Sequence, residues 1–284
     1  MQQTLRRPFR FEGVGLHTGA ACSLEVRPAP PDTGLAFSLC APGAPERVRV
    51  PALAENVVET SRATVVGGGG ATVSTTEHIL SAMFAMGVTN AEMAVDGPEV
   101  PIVDGSAQAF ADAIVEAGLE RQDRPRYSLR LEEPIVVQVA DRMIALIPAS
   151  EFRVRFVADF PAPIGTQYYY GPIEPAVYRG EIAGARTFGY LHEVEALRAR
   201  GLALGGSLDN ALVFAADGPM QPLRWPNEVV RHKVLDLIGD FALLGAWPQC
   251  EIVAIKSGHE LHALATRAVR SRLPIAAAEP STRR

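Results

Sequence analysis

Arg231–Asp240 reads R-H-K-V-L-D-L-I-G-D and runs on into the apolar stretch Phe241–Leu244. On a helix, His232 and Asp236 stand four residues apart on one face, with Asp240 one turn further along it. Lys233 points about a quarter-turn away, and Val234, Leu235, Leu237 and Ile238 are left to face a core. An imidazole and a carboxylate so spaced can both reach one metal ion, with the helix fixing the angle between them. The competing reading is a surface helix whose His–Asp pair gains only about a few tenths of a kcal/mol.

Outward from this stretch, the two halves of the chain run in the same order. Thr75–Met86 reads as a helix, Asn90–Val95 as a strand and Ala107–Ala117 as a helix; Arg231–Leu244, Ile252–Ile255 and Glu260–Arg272 repeat that order. Short strands come before each trio: Ala21–Val26 and Arg47–Val50, then Tyr127–Leu131, Ile135–Val139, Arg142–Ile147 and Phe152–Asp159. No residue-level repeat is visible, so the match is one of order alone. The fold class expected is α+β, with two similar domains over residues 1–122 and 127–273 and a cleft between them. The charged, proline-bearing Arg121–Arg126 would link them, and residues 274–284 would form a frayed tail. Glu77-His78 and His232-Lys233-Asp236 then fall on corresponding helices able to face each other. Gly67–Gly70 has no G-K-S/T after it and reads as a hairpin tip rather than a phosphate loop.

The composition fits such a chain. Of 284 residues, 48% are hydrophobic and 21% charged, which is globular, and about three-quarters of the unfolded surface would be buried. A net charge of −5 argues against a nucleic-acid partner. No window approaches 18 uncharged apolar residues, and the charged N-terminus has no apolar run behind it. Neither a membrane span nor a secretory signal is expected. Cys22, Cys40 and Cys250 are scattered without a C-x-x-C and read as reduced small residues, so the chain is expected to be soluble and cytoplasmic.

Six histidines are few enough to weigh singly. His78 lies in S-T-T-E-H, where Ser74 and Glu77 fit a capping box, the bland account of that glutamate. The sharper account pairs His78 with His232 and Asp236. Two nitrogens and one oxygen make the donor count of a catalytic zinc site with one position open. Glu77, beside a ligand, would take a proton from water there. His259 follows a glycine and would project into the cleft with Asp240 on its other nitrogen; a helix-start surface histidine is the alternative. His192 and His262 read as surface-helix histidines. His17, in G-V-G-L-H-T-G, lines the cleft or caps it. Lys233 and the Thr187 hydroxyl in A-R-T-F-G are placed to stabilise negative charge, against plain readings as an exposed lysine and a strand end.

A series of stretches in one order then carries a family resemblance. They are G-V-G-L-H-T-G from Gly13, N-V-V-E-T from Asn56, S-T-T-E-H-I-L from Ser74 and D-G-P-E-V-P-I-V-D-G-S from Asp96. I-G-T-Q-Y-Y from Ile164, A-R-T-F-G from Ala185, G-L-A-L-G-G-S-L-D-N-A from Gly201, R-H-K-V-L-D-L-I-G-D from Arg231 and K-S-G-H from Lys256 complete the series. From about Phe9 to Leu273 the chain resembles the UDP-3-O-acyl-N-acetylglucosamine deacetylases of lipid A biosynthesis. The resemblance implies a zinc amidase (iron(II) being the other metal considered), with His78, His232 and Asp236 as ligands and Glu77 as general base. It makes His259 the general acid, Asp240 its orienting partner, and Thr187 and Lys233 the holders of the oxyanion. It implies helices packed inward around the site. It also implies a small β-α-β insert, about Phe188 to Val213, that forms an apolar passage for a fatty acyl chain. Phe188, Leu191, Leu197, Leu202 and His17 would contact substrate, with Leu204 and Val213 also apolar in the passage. The expected partner is a UDP-sugar bearing an acyl chain, and the expected state a monomer. A non-catalytic sugar-nucleotide or lipid-binding paralogue and an amidase for another acylated amino-sugar are the alternatives. The chain departs from the family pattern at Thr76, usually apolar, and at His262, commonly Asn.

Overall fold

The computed structural model describes residues 1–41, 43, 46–272 and 276–277. Its helices are α1 (Glu77–Ala85), α2 (Gln108–Ala117), α3 (Pro175–Val177, continued by a π turn to Ile182), α4 (Val194–Ala199), α5 (Glu228–Ala242) and α6 (His259–Arg272). Every residue of α1 is buried, and in α5 all but Arg231 and Lys233. A helix buried all round needs apolar residues on every face, and Ile79, Leu80, Met83, Val234, Leu235, Leu237, Ile238 and Phe241 supply them. α1 and α5 pack against each other so closely that a Cβ on Gly239 would stand 2.0 Å from the carbonyl oxygen of Glu77. Only glycine permits that approach.

Two strand arrays flank this pair, one of five strands and one of seven. The first runs Phe9–Val14, Ala21–Pro28, Ala91–Asp96, Leu35–Cys40, Arg47–Pro51, antiparallel except between Ala91–Asp96 and Leu35–Cys40. The second repeats that order in Ile135–Val139, Arg142–Pro148, Trp247–Ile255, Arg153–Asp159, Thr166–Pro172, with Arg153–Asp159 parallel to Trp247–Ile255; Tyr127–Arg130, also parallel to Trp247–Ile255, and Ala276–Ala277 bring it to seven strands. In each, the strand that follows a central helix is inserted between two earlier hairpins, so the strand orders are the same. Trp247–Ile255 alternates buried and half-buried residues along its length, one face turned to the core. One hydrophobic cluster runs through both arrays and the helices between them. The expected α+β class is the observed one.

Phe188–Tyr190 pairs in parallel with Leu212–Ala215 through a short 3-10 turn and α4, which is the expected β-α-β insert. Gly218–Pro219 adds a third strand, carrying the unit past Val213. Its own small core, Ile164, Tyr190, Leu212, Phe214 and Val229, is separate from the main one. Gly69 and Gly70, at φ 58° and 82°, form the tip of the hairpin between Val65–Gly68 and Ala71–Val73, as expected.

Several expectations need correction. Ser74 does not cap α1: its N–H donates to Pro98 and its carbonyl accepts from Val100, an extended pairing that leaves it outside the helix. α5 begins at Glu228, three residues before Arg231, and Leu119–Arg121 is a strand paired with Gln3–Leu5, which shortens the linker. Thr166–Pro172 and α3 were not expected from the Pro- and Gly-bounded segments that contain them. Of the tail from 274 to 284, only Ala276–Ala277 is described, paired with Tyr127 and Ser128; the rest lies outside the described residues.

Candidate metal centre

His78 stands in the first turn of α1, and His232 and Asp236 lie on the facing side of α5. Their ligand atoms lie within 4.8 Å of one another, all three residues buried. Asp236 Oδ1 is 3.4 Å from His232 Nε2 and 3.9 Å from His78 Nε2. His232 Nδ1 lies 3.0 Å from the carbonyl of Ala185, so Nδ1 carries the proton and Nε2 presents its lone pair to the other two groups. Burial, helped by neighbouring His232, pushes His78 down to about 3, and burial likewise lowers His232. Both imidazoles are therefore neutral, the state a ligand needs. Burial would raise Asp236, but His232, Lys233, His259 and His78 hold it far below the usual carboxylate range. Two neutral imidazoles and a carboxylate converging in a dry site fit a divalent cation.

Lys233 stands beside the triad, paired with one of its members. Its Nζ lies 2.6 Å from Asp236 Oδ2, one turn along the helix, so it grips the oxygen that does not face His78 and His232. That neutralises and orients the carboxylate while leaving Oδ1 for an ion.

Glu77 and His259 stand beside this triad. The Glu77 carboxylate accepts the Thr64 N–H at 3.0 Å, and burial, with Asp240 and Asp236, pushes it up to about 7 against the opposing charge of His259. His259 Nε2 is 3.9 Å from Asp236 Oδ2, and its Nδ1 donates to Asp240 Oδ2 at 2.8 Å. Burial alone would depress His259, but the charge and hydrogen bond of Asp240 lift it to about 9. A base poised near neutrality and a protonated imidazole thus share one wall.

His262 overturns its reading as a surface histidine. It is fully buried: Nδ1 donates to the same Asp240 Oδ2 at 2.7 Å, and Nε2 accepts from the Ser257 hydroxyl at 2.9 Å. Asp240, His259 and His262 are also spaced to hold an ion. Both Nδ1 atoms, however, are engaged by one carboxylate oxygen, so we read the trio as a hydrogen-bonded relay. His259 and His262, three apart on α6, were the signal that could have paired them.

Three residues important to this geometry went unremarked in the sequence. Thr64 donates its N–H to Glu77 and its hydroxyl to Asp240, and its carbonyl accepts from Thr76, the departure from the family pattern. Glu99 is fully buried and accepts from the N–H of His17, the N–H and hydroxyl of Thr18, and the hydroxyl of Thr75. It thereby pins the G-V-G-L-H-T-G loop to the left-handed turn at Thr75 (φ 59°) that leads into α1. Glu228 takes three donors from Arg186 and the Arg224 N–H, holding A-R-T-F-G where Ala185 meets His232.

A cavity of about 400 Å³ opens beside the triad, lined by His17, Thr187, Phe188, Leu191, Leu197 and Val213 among others. The Phe188 ring centroid lies 6.1 Å from that of His232 and joins the two. Leu202 and Leu204 do not line it; they sit in the turn beyond α4, and Leu204 packs toward Gly19 instead. His192 is exposed, as expected.

A family model described as LpxC, UDP-3-O-acyl N-acetylglycosamine deacetylase, matches residues 2–271. Three curated proteins named UDP-3-O-acyl-N-acetylglucosamine deacetylase are similar along nearly their whole lengths. That of Syntrophotalea carbinolica is 44% identical over 264 residues, 92% of this chain and 85% of its own. That of Phenylobacterium zucineum is 45% identical over 276 residues, 95% and 94%. That of Nostoc sp. is 44% identical over 268 residues, 92% and 95%. The likeness therefore takes in both strand arrays and the helices between them.

Proposed function

This chain belongs to the family of UDP-3-O-acyl N-acetylglycosamine deacetylases, and from that membership we propose that it hydrolyses the acetamide of UDP-3-O-(3-hydroxyacyl)-N-acetylglucosamine, releasing acetate in lipid A biosynthesis. The observation that carries the reading is a buried His78–His232–Asp236 triad with a near-neutral carboxylate and a protonated imidazole beside it.

A divalent cation bound by the triad would supply Lewis acidity toward the amide carbonyl and toward a water molecule. We read it as zinc, with iron(II) as the other candidate. Glu77 takes the proton of the attacking water. His259, held by Asp240, gives its proton to the nitrogen as the C–N bond breaks, so the products are acetate and the free amine. Thr187, on the cavity wall, and Lys233, anchored on Asp236, hold the oxyanion. Phe188, Leu191, Leu197 and Val213 receive the acyl chain, and His17, which lines the same cavity, contacts the substrate. Residues 1–122 and 127–273 are read as two domains, the protein as a cytoplasmic monomer, and its partner as the nucleotide-sugar alone. Among the described residues no helix is long and apolar enough to cross a membrane.

The test is acetate release from that substrate by protein of known metal content. Activity lost on chelation and restored by about one equivalent of zinc supports the reading; a folded, metal-loaded protein that releases no acetate refutes it.

A further inference from the structure

A second cavity, of about 290 Å³, opens at the opposite end of the central helices. Phe84, in the last turn of α1, helps line it, about 9 Å along the axis from His78. Residues from both halves form its walls: Leu35, Leu53 and Val88 on one side, Ala246 and Trp247 on the other. The surface is mostly apolar, with one exception that sets its chemistry.

Arg126 lies on the wall with its guanidinium carbon 4.1 Å from the centroid of Trp247 and 5.9 Å from that of Phe84. Among the described residues it has no hydrogen-bond acceptor and no carboxylate within 4.0 Å. Burial against the two rings pulls it down to about 10. The other charged groups of the wall are occupied. Asp32 accepts from Gln2 and Tyr127 and faces Arg124; Arg270 donates to Glu55 and to the carbonyl of Leu244. Arg126 is half-buried and, among the described residues, has no carboxylate beside it, so its guanidinium is open to an anion entering over the apolar wall.

We propose that this cavity is a second ligand site, for a small carboxylate with an apolar body. The planar guanidinium takes the carboxylate in a two-pronged contact, and the body lies against Trp247, Phe84 and the aliphatic wall. The site is separate from the metal centre and bridges the two halves where α1 and α5 end.

The sequence holds two tryptophans. Trp225→Phe leaves Trp247 as the single indole, so its emission reports on this cavity and not on the one beside the triad. With the metal-loaded full chain, sodium octanoate should change that emission saturably. Octan-1-ol and inorganic phosphate should each bind at least about tenfold more weakly, since one lacks the charge and the other the apolar body. Arg126→Gln should weaken octanoate by at least about tenfold while acetate release persists. Ala246→Leu, which keeps Arg126 but fills the cavity, should do the same. No response in the full chain, an equal response to phosphate or octanol, or octanoate binding unchanged in both variants overturns the proposal.

Discussion

Gly239→Ala is the substitution that the geometry condemns most directly. The new Cβ would lie 2.0 Å from the Glu77 carbonyl oxygen, 2.7 Å from its carbon and 2.9 Å from its Cα, where ordinary contact begins at 3.4 Å. All three atoms belong to backbone in the first turn of α1, so no side chain can swing aside. The helices must part by more than an ångström, at a cost of about 1–3 kcal/mol for overpacking. Alanine returns about 1 kcal/mol of helix propensity, so the net loss of stability is only about 0–2 kcal/mol. Catalysis should fall much further. The movement carries Glu77 and His78 away from His232 and Asp236, and a displacement of about 1 Å costs about 100-fold in rate. Urea unfolding and acetate release, measured on protein saturated with metal, separate the two effects. Gly180→Ala, on an exposed turn with no atom within 4 Å of the new Cβ, is the control and should leave both unchanged. Wild-type kcat/KM in Gly239→Ala, with stability equal to the control, would refute the close approach and the shared geometry built on it.

Three further outcomes follow from the site. The rate requires Glu77 ionised and His259 protonated, so kcat/KM should rise with pH through the Glu77 pKa, at or below about 7 once a cation is bound, and fall through that of His259 near 9. Glu77→Gln should erase the acid limb and cost about 10²–10⁴-fold; an unchanged profile would remove Glu77 as base. Asp240→Asn withdraws the charge that lifts His259, so the alkaline limb should move to lower pH as kcat falls, and a limb that stays put would break the assigned link. Chelation should lower the melting temperature and added ion restore it, by about 2.7 kcal/mol at a hundredfold excess over Kd; equal melting with and without ion would leave the triad without a ligand.

The donors of the triad were legible because each is half of a local pattern: His232 and Asp236 four apart on one helix, and His78 beside Glu77 at a helix start. The order of elements was legible for the same reason, since helical and strand periods are local. The insertion of Ala91–Asp96 and of Trp247–Ile255 between earlier hairpins was not, because strand pairing is a long-range choice that the period does not encode. Thr64 illustrates the same limit. It is a lone threonine in S-R-A-T-V-V, and its hydroxyl partner Asp240 is 176 residues away. His262 was misjudged because a polar residue on an amphipathic helix is ordinarily exposed; here Asp240 and Ser257 satisfy both of its nitrogens, which makes full burial affordable. Leu202 and Leu204 misled for the opposite reason, since hydrophobicity in a short insert does not say which wall a side chain joins.

The division of the candidate metal donors between α1 and α5 has a consequence in time. A nascent chain emerging in order holds His78 long before His232 and Asp236 exist, and the His259 that completes the proton relay comes later still. No partial product can assemble the set of candidate donors, so on the proposed reading premature capture of an ion and premature hydrolysis would both be precluded during synthesis. Once the helices have docked, any slip between them separates the donors. Retention of an ion by these donors would thus report that the last-made part of the chain has found its place against the first.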